Sequence, residues 1–299
     1  MEDQASELRM MMQKRMENTI KKSPYATKKV EEHKTRIIAI TSGKGGVGKS
    51  NIAVNMAIQY AQIGKKVILI DADLGMANVN VLLNVVPSAN LLHVIDKGKK
   101  MDEIILPTEY GIRFIAGANG FSRIANLEKD ELDFFVKEFS ALADADIIII
   151  DTGAGISNNV LSFVMAADEV YVVTTPEPTA ITDAYGMIKI IATELSLSEL
   201  NMKLIVNRVH SADEGKRVSD RIINIAAQFL NYKIEYLGFI YDDPAVSVSV
   251  VRQKPFIVAN PNSNPAKCIK HIVGRIEKTD FDEDEGFSRF LRKFTGKKK

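Results

Sequence analysis

The sequence predicts a doubly wound α/β fold with a mostly parallel sheet. Short β-branched runs recur between amphipathic stretches, a glycine-rich loop joins one run to the next helix, and aspartates close two further runs. Hydrophobic residues make up 46% of 299, enough for one large α/β domain or two small ones.

Three zones are read along the chain. Residues 1–35 are polar, rich in Lys, Glu and Met, contain Pro24, and are expected to be an extension. Residues 36–277 carry the α/β alternation. Residues 278–299 open with Asp280, Asp282, Glu283, Asp284 and Glu285 and finish basic.

Within the middle zone the first strand is expected at 36–41, where Ile-Ile-Ala-Ile can be buried on both faces. A helix over 51–63 follows, with Gly64 where a C-cap belongs. The next strands fall at 66–70 and 112–116, then a helical pattern spans 128–142. Strands at 146–150 and 169–174 precede a helix at 183–195. A strand at 203–206, a helix at 212–230 and a strand at 234–240 complete the pattern, and no internal repeat is present.

Composition narrows the function classes. A net charge of +1 gives no global field toward nucleic acid or membrane, so any such attraction must be local. Cys268 is the one cysteine, which removes disulfides, paired-cysteine metal sites and CxxC redox chemistry and suits a reducing cytosol. No apolar run approaches the roughly 18–20 residues of a membrane span. The polar, acid-containing start does not read as a secretory signal, so a soluble cytoplasmic protein is expected.

The strand at 36–41 runs into Gly43-Lys44-Gly45-Gly46-Val47-Gly48-Lys49-Ser50, and a helix begins with Asn51. This strand–loop–helix context is what a phosphate-binding loop requires. Glycines let backbone N–H groups curl around phosphates, and the helix N-terminus favours the anion. Lys49 is expected to reach the β- and γ-phosphates of ATP, and Ser50 to ligate Mg²⁺. Asp151 closes the 146–150 run where a Walker B carboxylate would hold Mg²⁺, directly or through water. Asp71 and Asp73 close the 66–70 run on the same sheet edge. A strand-end aspartate is also a common helix cap; the group of three beside the loop favours the metal reading.

Lys44 is not required by the ordinary loop pattern. Residues 44–50 resemble the deviant Walker A motif of the MinD/ParA ATPases within the P-loop NTPase fold. That resemblance implies an ATPase in which Lys44 crosses to the partner subunit of an ATP-sandwiched homodimer. It further implies that Asp73 orients the attacking water, that Asp71 lies near the metal, and that 151–155 form a second switch. Asn207 and Arg208 match the position where this family holds adenine.

Residues 3–9, Asp3-Gln4-Ala5-Ser6-Glu7-Leu8-Arg9, are similar to an element of the flagellar MinD-like ATPases. There the N-terminal helix activates a signal-recognition-particle-type GTPase, FlhF; Asp3, Gln4, Leu8 and Arg9 would make that contact here. Residues 71–80 resemble the same subfamily, although Asn80 stands where an acid is frequent. A flagellar transcription factor or switch-complex component is left open as a further partner.

In the tail, Phe287, Phe290, Leu291 and Phe294 fall at i, i+3, i+4 and i+7. Arg289, Arg292, Lys293, Lys297, Lys298 and Lys299 surround them without an acid, the composition of an interfacial helix at an anionic inner-membrane surface. The competing reading is a final helix docked on the body with solvated lysines. A DNA-partitioning ATPase is the alternative function; the basic residues gather at the termini and not in a stripe on the body, so no specific nucleic acid is expected. The lone cysteine argues against an iron–sulfur carrier.

Overall fold

A computed structural model describes residues 35–73, 78–117, 131, 134, 137–194 and 201–278. Asp3, Gln4, Leu8, Arg9, Phe287, Phe290, Leu291 and Phe294 lie outside the described residues.

Eight strands form one sheet in the order β3-β4-β2-β5-β1-β6-β7-β8. They are β1 Arg36–Ser42, β2 Val67–Ala72, β3 Leu106–Pro107, β4 Arg113–Ala116, β5 Ile147–Ala154, β6 Glu169–Thr174, β7 Asn201–Val209 and β8 Glu235–Tyr241. Every neighbouring pair is parallel except β3–β4. The two-residue strand β3 was not expected; Pro107 is tolerated there because β3 lies at the sheet edge.

Helices cover both faces, and period-2 alternation of the strands decides which residues meet them. Ile38 and Ile40, Val67 and Leu69, and Ile147 and Ile149 share one core with α1 (Lys49–Gln62) and α9 (Asn264–Glu277). Ala39, Val170, Val172 and Leu204 face α4 (Asn158–Ala166), α5 (Pro178–Glu194) and α6 (Ala212–Leu230). Ile68, Ile70, Ile148 and Ile150 pack with α3 (Leu91–Lys97). The short helices α2 (Asn78–Leu82), α7 (Pro244–Val251) and α8 (Phe256–Ala259) and the 3-10 turns Met101–Glu103 and Ser140–Asp144 are also described. Among the described residues no helix is long and apolar enough to cross a membrane.

Several boundaries move relative to expectation. β5 continues past Ile150 because its ladder persists, Ala72 pairing Thr152 and Ser42 pairing Ala154. Asp71 and Asp151 therefore sit inside strands, and so do Asn207 and Arg208, since β7 runs to Val209. α5 starts five residues before its expected start, at Pro178; proline suits a first helical position, where its missing N–H costs nothing. α1 ends as anticipated, with Gly64 at φ 86° just past the terminus, its N–H bonding to the Ala61 carbonyl at 2.9 Å.

Candidate phosphate-binding site

The loop 43–48 joins β1 to α1 at the carboxyl edge of the sheet, where open α/β sheets bind ligands. Gly46 and Gly48 have φ of 77° and 97°, backbone geometry that favours glycine. Gly43 is required for another reason: a Cβ there would overlap the Asp183 backbone carbonyl of α5. Ser42 Oγ donates to the Lys44 carbonyl at 2.9 Å. At the other end Gly48 caps α1 without a side-chain hydrogen bond, and no acid occupies the first turn. The helix N–H groups and positive dipole end are thus left open to an anion.

Lys49, the first residue of α1, is buried. Near it lie two buried carboxylates whose placement follows from register. Asp71 of β2 pairs directly with Asp151 of β5. Alternation turns both toward the α1 face, in line with Leu69 and Ile149. Asp151 is fully buried, and neither carboxylate oxygen has a hydrogen-bond partner within normal geometry. Burial raises its pKa to about 6, against the opposing pull of Lys49 and the Ser50 hydroxyl, while Asp73 adds to the rise. Asp71 accepts from the backbone N–H groups of Asp73 at 3.1 Å and Val79 at 3.3 Å. Burial, then the field of Asp151, lifts the Asp71 carboxyl to about 7 despite those bonds.

Two desolvated carboxylates, one without a hydrogen bond of normal geometry, are costly unless a further cation joins them. Mg²⁺ is commonly held by one or two carboxylates with waters and phosphates, so this pair fits that ion. Among the described residues no cluster of three or more His, Cys, Asp or Glu forms an all-protein metal cage.

The remaining expected residues surround this centre. Asp73 is half-buried, and its Oδ1 approaches Gly153, lying 3.7 Å from where a Cβ would stand. Asn207 of β7 donates its amide Nδ2–H to the Val47 carbonyl at 2.7 Å, so it reaches the loop itself. Arg208 beside it is exposed with φ 57°. Lys44 lies back on its own chain: its Nζ donates to Glu177 Oε2 at 2.7 Å and Thr179 Oγ1 at 2.8 Å. The ammonium of Lys44 holds the Glu177 carboxyl below its ordinary range. Glu177 and Thr179 were not anticipated as partners. Their signal was Pro178 between them, readable as a helix start on the same sheet edge.

Residues 38–256 match the CobQ/CobB/MinD/ParA nucleotide binding domain. The antiactivator FleN of Pseudomonas aeruginosa is 35% identical over 246 residues, 82% of this chain and 87% of that protein. The flagellum site-determining protein YlxH of Helicobacter pylori is 39% identical over 242 residues, 80% of this chain and 81% of that one. Among solved structures, the septum site-determining protein MinD of Pyrococcus horikoshii, complexed with Mg-ADP, superposes with a TM-score of 0.64. It is 25% identical and covers 82% of this chain and 97% of its own.

Proposed function

The chain belongs to the CobQ/CobB/MinD/ParA nucleotide-binding family, and from that membership we propose an ATP-driven dimerisation switch that regulates the number or placement of bacterial flagella. It is an ATPase of the MinD/ParA kind that uses ATP and Mg²⁺. The flagellar assignment rests on one observation, similarity over about four fifths of the chain to FleN and YlxH.

Each local feature then has a task. The N–H groups of Gly43, Gly45, Gly46, Val47, Gly48 and Asn51 cradle phosphates, and Lys49 places a buried cation beside them. Ser50, Asp71 and Asp151 are the residues that would hold Mg²⁺, whose charge compensates the phosphate oxygens. Asp73 orients the attacking water. Lys44 leaves Glu177 and Thr179, crosses to the partner subunit, and meets charge on that subunit's nucleotide only in the dimer. Asn207 and Arg208 face the base. Loss of the γ-phosphate removes what the two subunits share, and the dimer loosens.

The terminal segments connect this cycle to partners. Residues 287–294 bind an anionic inner-membrane surface weakly as a single tail. Each basic residue near such a surface contributes about 1 kcal/mol. Two tails in a dimer gain about 10²–10⁴-fold by avidity, so membrane attachment follows ATP. Residues 1–20 stimulate an FlhF-type GTPase through Asp3, Gln4, Leu8 and Arg9, with Met10–Met12 supplying an adaptable apolar surface.

GTP hydrolysis by an FlhF-type GTPase, with the full chain and with a chain lacking residues 1–20, tests this assignment. The full chain should accelerate hydrolysis, and the truncation or Leu8→Ala should abolish the effect. No acceleration by the full chain would remove the proposed partner.

A further inference from the structure

We propose that Asn207 is a positioning residue of the phosphate loop, holding the Val47–Gly48 peptide from the neighbouring strand. This goes beyond a base contact, and it rests on the reading of residues 43–50 as the phosphate loop.

Two observations carry it. The Asn207 amide donates to the Val47 carbonyl across 2.7 Å in a buried setting, linking residues 160 apart in sequence. The same amide nitrogen lies against Gly48, where any Cβ would overlap it. Gly48 at φ 97° is both the cap of α1 and the surface on which the amide rests.

The strand supplies the aim. Alternation along β7 places Asn207 on the face of Ile205, which packs in the α1 core, opposite Leu204 and Val206. Between Val206 and Val209 the β7–β8 register is irregular, and Arg208 adopts φ 57°. Such an irregularity re-aims the strand end, as bulges beside active sites commonly do.

The consequence follows from peptide planarity. In a trans peptide the C=O and the next N–H point in opposite directions. Fixing the Val47 carbonyl toward Asn207 therefore directs the Gly48 N–H away from β7. A loop that must present several N–H groups to one anion gains from having this peptide fixed beforehand, because ordering it at binding would cost affinity. Without the amide, a buried carbonyl at Val47 loses its partner and the peptide is free to rotate.

A ligand without a base separates this role from adenine recognition. Titration calorimetry would compare the full-length wild type, Asn207→Ala and Asn207→Leu for MgATP and for magnesium tripolyphosphate. Leucine keeps the same number and branching of side-chain heavy atoms, although it is bulkier, and has no N–H to give. Affinity for tripolyphosphate should fall roughly three- to ten-fold for one lost hydrogen bond, and affinity for MgATP by at least that factor. Thermal melting of the nucleotide-free variants checks that they are folded. Unchanged tripolyphosphate affinity with weakened ATP binding would overturn the proposal and leave Asn207 a base contact alone. Loss of cooperative melting in both variants would also overturn it, making Asn207 part of the general core. A wild type that binds ATP and not tripolyphosphate would overturn it as well, because no base-free phosphate hold would exist. Failure of the wild type to bind either ligand would instead sink the phosphate-loop reading on which the proposal stands.

Discussion

The Asp151 carboxylate is fully buried with no hydrogen bond of normal geometry to either oxygen, and burial raises its pKa to about 6 against the opposing pull of Lys49 and the Ser50 hydroxyl. A raised carboxyl pKa means the neutral form suits the folded state. Stability is thus fully present below the ordinary value near 4 and is lost as pH climbs through about 6. Asp151→Asn should stabilise the nucleotide-free protein at pH 7.5 by an amount on the order of 2 kcal/mol. The same change should abolish magnesium-dependent ATP hydrolysis. Melting curves and a phosphate-release assay check the two halves together. Asp151 was legible in the sequence as a strand-end acid, because it follows four isoleucines and shares an expected sheet edge with the phosphate loop, Asp71 and Asp73. Its unsatisfied burial was not legible, since that depends on register with Asp71 across two strands.

At the scale of elements, contacts made by backbone and by buried amides hold the site in place. Asn55 of α1 accepts from the Ile257 N–H of α8 at 2.9 Å and donates to the Asn51 carbonyl at 2.7 Å. Asn55→Ala would leave that buried N–H alone and should cost about 1–3 kcal/mol, read from urea denaturation. Gly43 against α5 is a second such contact. Gly43→Ala must push α5 from the loop, because the obstacle is the Asp183 backbone carbonyl and not a mobile side-chain end. It should cost about 1–3 kcal/mol, the usual range for overpacking, and weaken ATP binding as well. The long parallel strands and α6 were readable because their periodicity is strong and their caps conventional. α7, Pro244–Val251, was missed because Pro-Ala-Val-Ser-Val-Ser-Val-Val alternates like a strand; Pro244 at the helix start and the cap in which the Ala245 N–H donates to Asp243 Oδ1 declare the helix. The true start of α5 lay five residues before the expected one, at Pro178, a residue that suits a first helical position.

Across the whole molecule the two edges of the sheet are specialised differently. The carboxyl edge carries the loop, the paired aspartates, Lys44 and Asn207. The amino edge carries a charge cluster, in which Arg36 of β1 pairs with Glu277 of α9 and Glu169 of β6, and Lys203 bridges Glu169 at 2.8 Å. Glu277 also draws Lys65 to 3.5 Å, so the last residue of α9 is tied to the first of β1 and to the turn after α1. Glu277→Ala should cost about 1–3 kcal/mol of stability, because it leaves the Arg36 guanidinium partly buried with one partner fewer. It should leave ATP affinity unchanged, which separates the two edges. The proposed reach of Lys44 across a dimer can be followed by sedimentation velocity with MgATP in an Asp73→Ala background that should not turn over. Asp73→Ala should sediment as a dimer, and Asp73→Ala/Lys44→Ala as a monomer that still binds ATP. A double variant that dimerises as fully as Asp73→Ala would contradict the claim, leaving Lys44 to Glu177 and Thr179 of its own chain.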